Sequence, residues 1–186
     1  PRRLQVRGCV RDGPRDAVRR CNAPTGFFGH GLADAYEEAA DLVLHTLSLP
    51  SDRIETVLDS RVTQAERAQL LQVIDRRVDE RVPAAYLTHE AWLGGFRFYV
   101  DERVIIPRSF IAELLPDGLA PWIPDAGTVQ STLDLCTGSG CLAVVLAPPH
   151  PNRHLDAPDI SPDDPPVAQA NLADQGHPGP IHLIRS

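Results

Sequence analysis

The sequence predicts an α/β protein in which helices come first, a β-hairpin follows and a parallel sheet comes last. Apolar residues recur at helical spacing up to about residue 82, and aromatic and β-branched residues then flank a Gly-Gly pair. From Ser131 onward, strand patterns alternate with helix patterns. We therefore expect a small helical domain over 1–85, a hairpin linker over 86–106 and a partial α/β domain over 107–186.

Seven apolar residues predict the first helix because they fall on one face at 3.6 residues per turn. They are Leu32, Ala35, Tyr36, Ala39, Leu42, Val43 and Leu47. The acidic residues of this segment lie off that face: Asp34, Glu37, Glu38 and Asp41. Pro50 is expected to end the helix, since proline cannot continue the backbone hydrogen bonds.

A capping box predicts where the second helix begins. In Thr63-Gln64-Ala65-Glu66, the threonine can accept from the backbone of Glu66, and the glutamate can reach back to the threonine. The apolar residues behind it repeat at helical spacing: Leu70, Leu71, Ile74, Val78 and Val82. Pro83 is expected to close this helix.

The stretch "AWLGGFRFYVDERVII" predicts a hairpin that turns at Gly94-Gly95. Trp92, Phe96 and Phe98 have two interpretations, an aromatic binding face or simple packing between two domains. Packing is favoured, because large aromatic side chains more often supply buried area than a ligand surface.

From Ser131 the predicted order is a strand over 132–135, a helix over 141–147, and strands over 154–157 and 181–184. Open parallel sheets usually carry about five or six strands, so three strands predict only the first half of a doubly wound sheet.

Prolines are expected to damage this half locally. Pro158 falls at the end of an inner strand, where it cannot donate a ladder hydrogen bond. Pro165 and Pro166 are expected to make the next helix restart at Pro165 and run only to Leu172.

The glycine turn in "DLCTGSGCLA" predicts a ligand that approaches the backbone closely, because Gly138 and Gly140 carry no side chain. A phosphate-binding P-loop is excluded, since no lysine follows the last glycine. A dinucleotide motif, G-x-G-x-x-A, is matched literally through Ala143. S-adenosylmethionine is favoured by Asp134, because a carboxylate at that position suits an ammonium group and would repel a pyrophosphate.

Asp159 lies about twenty residues beyond the glycines, where ribose hydroxyls are recognised in such folds. It fits NAD and S-adenosylmethionine equally. Thr137 and Ser139 can donate hydrogen bonds to a ligand or simply stabilise the turn. Cys136 and Cys141 are interpreted as small packing residues, not nucleophiles.

Composition excludes several other classes. A net charge of -7 argues against direct nucleic-acid binding, which needs a basic face. No apolar run reaches membrane-spanning length, and the cysteines and histidines show no zinc spacing. Without a disulfide framework, the expected location is the cytoplasm.

Three segments resemble the protein-glutamine methyltransferases: "PAAYLTHEAWLGGFRFYVDERVIIPRS", "LDLCTGSGCLA" and "DISPD". "FFGHG" at 27–31, and the Ser-Phe-Ile that follows Ile106-Pro107-Arg108, resemble the branch that methylates a glutamine of the large-subunit ribosomal protein L-three. The resemblance implies a helical substrate-recognition domain, a hairpin linker and a Rossmann-like methyltransferase domain. It implies S-adenosyl-L-methionine as cofactor, held by Asp134, Thr137, Gly138, Gly140 and Asp159, and it places Arg108 on the substrate side.

The family's catalytic Asn-Pro-Pro-Tyr sequence does not occur in this chain, so no catalytic residue is predicted. We expect a C-terminally truncated chain that is inactive alone. An inactive remnant or binding module that docks on the ribosomal protein is the alternative, and an NAD-linked oxidoreductase is less favoured.

Overall fold

The computed structural model describes most of the chain as a mixed α/β structure. The described residues are 10, 35–50, 57, 59–147, 154–161, 164–176 and 181–185. The segment "FFGHG" at 27–31 and the start of the first predicted helix lie outside them. The chain divides into two compact units, Pro1–Thr88 and His89–Ser186. Whether the hairpin acts as a linker stays a prediction.

The first unit contains three described helices: α1 (Ala35–Thr46), α2 (Gln64–Val78) and α3 (Ala84–Thr88). Helices α1 and α2 pack through two apolar clusters. Val43 and Leu70 are buried in one cluster, and Ala39 and Ile74 are buried in the other. The predicted apolar faces of both helices therefore supply the core of this unit.

Two residues of α1 were predicted on the wrong side. Tyr36 was predicted on the apolar face but is 44% exposed. Glu38 was predicted off that face but is buried, and its Oε1 accepts a hydrogen bond of 2.6 Å from Nε of Arg77. An ion pair between residues far apart in sequence makes this burial possible, because it compensates the carboxylate for lost water.

The predicted capping box is confirmed at the start of α2. The Thr63 hydroxyl accepts from the backbone N–H of Glu66 at 3.3 Å, and Glu66 Oε2 accepts from the backbone N–H of Thr63 at 2.7 Å. The helix ends at Val78, earlier than its apolar spacing predicts. Arg81 has a φ of 60°, and the N–H of Val82 donates to the carbonyl of Arg76 at 3.1 Å, so the chain leaves the helical path before Pro83.

Replacing Thr63 with alanine is expected to lower the free energy of unfolding by about 1 kcal/mol, because one backbone N–H in the first turn of α2 loses its acceptor. Urea denaturation followed by circular dichroism measures the change. Thr63→Ser keeps the hydroxyl and is the matched control, expected to unfold close to the unsubstituted chain. Equal losses in both variants would contradict a capping role.

The hairpin of the second unit pairs β1 (Glu90–Leu93) with β2 (Phe96–Tyr99) in antiparallel register. Gly94 and Gly95 have φ values of 59° and 83°, the left-handed pair that a two-residue type I′ turn requires. The hairpin is thus present, and it turns at the predicted glycines.

The three aromatic residues of the hairpin do not share a face, so their interpretation as one aromatic binding face is wrong. Side chains alternate along a strand, and Trp92 pairs with Arg97, whereas Phe98 pairs with Ala91. Phe98 is therefore buried, whereas Trp92 is 62% exposed and donates from Nε1 to Glu90 at 2.8 Å.

After the hairpin come a short helix, α4 (Ile111–Leu114), and a parallel sheet with strand order β3-β4-β5. The strands are β3 (Ser131–Leu133), β4 (His154–Asp159) and β5 (Ile181–Arg185), and the helices between them are α5 (Cys141–Leu146) and α6 (Asp164–Gln175). Ala143 of α5 packs with Leu155 and Ala157 of β4 to form the core on one face of the sheet.

The expected damage from the prolines is wrong in two places. Pro158 lies inside β4, paired with Ile184, and its carbonyl accepts hydrogen bonds from the turn after β3. Helix α6 begins at Asp164 and has 12 residues, extending beyond Leu172. Pro165 and Pro166 fall in its first turn, where backbone N–H groups have no partner within the helix, so proline costs little there.

Candidate functional site

The predicted glycine turn lies at the carboxyl end of β3 and leads into α5. Three of its residues have left-handed backbone: Cys136, Gly138 and Gly140, with φ values of 60°, 56° and 76°. A side chain at Gly140 would also collide with α6, since its Cβ would lie 3.2 Å from the Cα of Ala168. This turn therefore combines a sharp reversal of the chain with a close helix contact, and glycine at Gly140 serves both.

The turn is built onto the neighbouring strand by backbone hydrogen bonds. The N–H of Asp134 donates to the carbonyl of Asp156 at 2.9 Å. The N–H groups of Cys136 and Thr137 both donate to the carbonyl of Pro158, at 3.1 and 3.3 Å. Pro158 has no N–H to donate, but its carbonyl holds the turn through these two bonds. Because Pro158 lies near the end of β4, the bonds fix the turn at the end of the sheet.

Asp134 is buried at the start of the turn, with 7% of its surface exposed. Its Oδ2 accepts a hydrogen bond of 2.7 Å from the Thr137 hydroxyl. Burial raises the pKa of Asp134, hydrogen bonds from Thr137 and the backbone of Ala143 lower it, and the negative charge of Asp159 raises it. The net direction is upward, so burial of this carboxyl group disfavours its ionised form.

Asp159 is buried at the end of β4 and fastens the turn to that strand. Its Oδ2 accepts from the backbone N–H of Gly138 at 2.9 Å, and its Oδ1 accepts from the N–H of Ser161 at 3.0 Å. The structure thus brings Asp134, Thr137, Gly138, Gly140 and Asp159 together around one turn.

Arg108 lies on the loop that follows the hairpin. Ile106 and Pro107 are buried, whereas Arg108 is exposed. The same loop passes the turn, because a Cβ at Gly138 would lie 3.8 Å from Cγ2 of Ile105. The loop that carries Arg108 is therefore near the predicted ligand turn, and its role toward a substrate stays a prediction.

The interpretation of both cysteines as packing residues is half wrong. Cys141 is partly buried, and burial raises the pKa of its thiol, which disfavours a nucleophilic thiolate. Cys136 is exposed, so it does not pack in the core.

Sequence reasoning missed Asn171, which lies on α6 and is only 2% exposed. Its Nδ2 donates to the carbonyl of Ser139, within the turn, at 2.8 Å. One signal was present in the sequence: Val167, Ala168 and Asn171 fall on one helical face, and a polar residue on such a face needs hydrogen-bond partners.

Two further properties concern the described residues as a set. Among them, no group of three or more His, Cys, Asp or Glu side chains is arranged so that it could hold a metal ion. Among these same residues, no helix has the length and apolar character needed to cross a membrane.

Comparison with known proteins gives a consistent result. The chain is 54% identical over 177 residues to a protein of Neisseria meningitidis named ribosomal protein uL3 glutamine methyltransferase, a match over 95% of this chain and 58% of that protein. Proteins of the same name from Bordetella pertussis and Burkholderia pseudomallei are 54% and 55% identical over 167 residues. These matches cover 90% of this chain and 56% and 54% of the two proteins.

No family model matches the chain. The chain spans between 54% and 58% of the length of these three relatives. Within that span the identity is 54% to 55%. Over this span the chain is therefore homologous to proteins named ribosomal protein uL3 glutamine methyltransferase, as the resemblance of its motifs predicted.

Proposed function

We propose that this chain is the cofactor-binding part of an S-adenosylmethionine-dependent methyltransferase that modifies a glutamine side chain of ribosomal protein uL3. One observation carries the proposal: a buried carboxylate, Asp134, stands directly before a glycine turn in a chain that is 52% to 55% identical to proteins of that name. The fold is proposed to be the first half of a Rossmann-like methyltransferase sheet, with residues 1–85 recognising the protein substrate and 86–106 serving as the linker.

Asp134 suits a cationic ligand. The influences on its pKa are burial, Thr137, the backbone of Ala143 and Asp159, and none of them is a cation. A ligand ammonium group would supply a positive charge and stabilise the ionised carboxylate. A pyrophosphate at the same place would add repulsion, which is why a dinucleotide is disfavoured.

Gly138, Gly140 and Asp159 suit the rest of the cofactor. Gly138 leaves the backbone open to close approach, whereas Gly140 lets the turn pack closely against α6. Asp159 is proposed to accept from ribose hydroxyls, and its bonds to the N–H groups of Gly138 and Ser161 hold its carboxylate in place. Thr137 orients Asp134 through its hydroxyl. When bound, S-adenosylmethionine would supply the methyl group that the side-chain amide nitrogen of the substrate glutamine receives.

No catalytic residue is assigned in these 186 residues, because they contain no Asn-Pro-Pro-Tyr sequence. Arg108 is proposed to lie on the substrate side. A ribosomal-protein substrate would place the enzyme in the cytoplasm.

Calorimetry with S-adenosylhomocysteine and, separately, NADH tests the cofactor. We expect saturable binding of S-adenosylhomocysteine by the 186-residue chain and no binding of NADH. Binding of NADH alone would favour an oxidoreductase instead.

A chimera tests the substrate. These residues would replace the matched region of the Neisseria meningitidis relative, and mass spectrometry would follow the mass of uL3 glutamine-containing peptides. A gain of one methyl group is expected. A chimera that binds S-adenosylhomocysteine but leaves uL3 unmodified would refute the proposed substrate and keep the cofactor.

A further inference from the structure

Asn171 makes three hydrogen bonds with its side-chain amide, all to backbone groups. Its Oδ1 accepts from the N–H of Tyr99 at 2.7 Å, and its Nδ2 donates to the carbonyls of Tyr99 at 3.0 Å and Ser139 at 2.8 Å. Both hydrogens of the amide nitrogen are thus donated, and the amide oxygen also has a donor. One buried side chain thereby joins the end of the hairpin to the centre of the glycine turn.

The hairpin needs this partner because of its register. In a two-residue hairpin the residues beside the turn exchange hydrogen bonds, and successive pairs alternate. Since Leu93 pairs with Phe96, the backbone groups of Arg97 and Tyr99 point away from β1. Asn171 binds those of Tyr99, and Nε2 of Gln175, one helical turn later, donates to the carbonyl of Arg97 at 2.7 Å. Helix α6 therefore covers the outer edge of β2.

Helix α6 also contacts the turn at two adjacent points. Ala168 lies against Gly140 so closely that a Cβ there would be 3.1 Å from the Ala168 Cβ. Asn171, three residues later, binds the carbonyl of Ser139, the residue between the two glycines. Gln175 touches the hairpin but has no described bond to the turn. Asn171 is thus placed to transmit a shift of either element to the other.

We propose that Asn171 is a positioning residue that couples the glycine turn to the hairpin, so that a ligand at the turn also tightens the hairpin. The choice of S-adenosylhomocysteine as the probe rests on the proposed function. The coupling itself does not, because it concerns two backbone segments that the Asn171 side chain joins without ligand.

The experiment compares Asn171→Ala with Gln175→Ala in the 186-residue chain. Both variants remove an α6 amide from the edge of β2, and only the first also frees Ser139. Amide hydrogen exchange without ligand is expected to rise in both hairpin and turn for Asn171→Ala, and in the hairpin alone for Gln175→Ala. By calorimetry, Asn171→Ala is expected to raise the dissociation constant of S-adenosylhomocysteine at least about tenfold. Gln175→Ala is expected to leave that constant within about twofold of the unsubstituted chain's value.

Unchanged exchange in the turn of Asn171→Ala, or equal binding by the two variants, would overturn the coupling. If no chain binds S-adenosylhomocysteine, the proposed function fails, and the exchange comparison without ligand still decides the coupling. If Asn171→Ala does not fold, Asn171→Ser takes its place, since its hydroxyl is too short to bridge Tyr99 and Ser139. In the unsubstituted chain, S-adenosylhomocysteine should slow exchange at Tyr99, and no effect there would count against the proposal.

Discussion

Replacing Gly140 with alanine is expected to lower the free energy of unfolding by about 2–4 kcal/mol and to abolish measurable S-adenosylhomocysteine binding. Two costs combine. A left-handed φ of 76° is strained for any residue with a side chain, at about 1–2 kcal/mol. The new methyl group would also lie 3.1 Å from the Cβ and 3.2 Å from the Cα of Ala168, so α6 or the turn must move.

Gly176 offers a matched control at the end of α6. Its φ is 60°, also left-handed, yet a Cβ there would meet nothing within 4 Å. Gly176→Ala is therefore expected to cost only the backbone strain, about 1 kcal/mol, and to leave ligand binding unchanged. Urea denaturation and calorimetry measure both variants. If the two glycines prove equally sensitive, the contact between the turn and α6 has no energetic importance.

Replacing Asp134 with asparagine is expected to stabilise the chain at neutral pH while weakening S-adenosylhomocysteine binding by about 10- to 100-fold. Asparagine keeps the shape and an acceptor for Thr137, and it removes a buried charge that nearby Asp159 also repels. The ligand's ammonium group, however, loses its ionic partner. A gain in stability with a loss of binding is the pattern expected where a site is arranged for a ligand.

The pH dependence follows from the direction of the shift. The folded pKa of Asp134 lies above its usual value of 3.8, so the folded chain keeps a proton that the unfolded chain has released. Stability from this group is therefore lost as the pH rises from the unfolded pKa to the folded one, and the penalty remains constant above that. Asp134→Asn should remove this slope in urea titrations performed across the acidic range.

Asp101 provides a control of opposite sign. Hydrogen bonds from Arg103 hold the pKa of Asp101 well below its usual range, so this carboxylate stabilises the fold above its unfolded pKa. Asp101→Asn should therefore lower stability at neutral pH, where Asp134→Asn raises it. A loss of stability in both variants would refute the interpretation that burial of the Asp134 carboxylate destabilises the fold.

Local signals predicted the elements well. The Thr63–Glu66 capping box, the turn at Gly94-Gly95 and the strands that flank the glycine turn depend on residues close together in sequence, and each is present. The length of α6 was not predicted, because the cost assigned to Pro165 and Pro166 applies inside a helix and they lie in its first turn.

In the candidate site, too, residues close in sequence were predicted and contacts between distant residues were not. Asp134 and Gly138 are neighbours in sequence, and the spacing to Asp159 follows from one strand-helix-strand repeat, so residue order alone placed them at one turn. Asn171 could not be predicted from residue order, since its partner Tyr99 lies 72 residues away. Neither could the pairing of Glu38 with Arg77, 39 residues apart. Such contacts depend on how elements pack, and no periodicity encodes that.

The bonds from Asn171 to Tyr99 also set an order of events during synthesis. The hairpin is local and can form early, but its outer edge is completed only by a residue 72 positions later. At about 5–20 residues per second, a ribosome needs roughly 4–14 seconds to add that stretch. During this interval the outward backbone groups of β2 stay open to wrong strand partners. The charged side chain of Arg97, between Phe96 and Phe98, is well placed to discourage such pairing until α6 has been made.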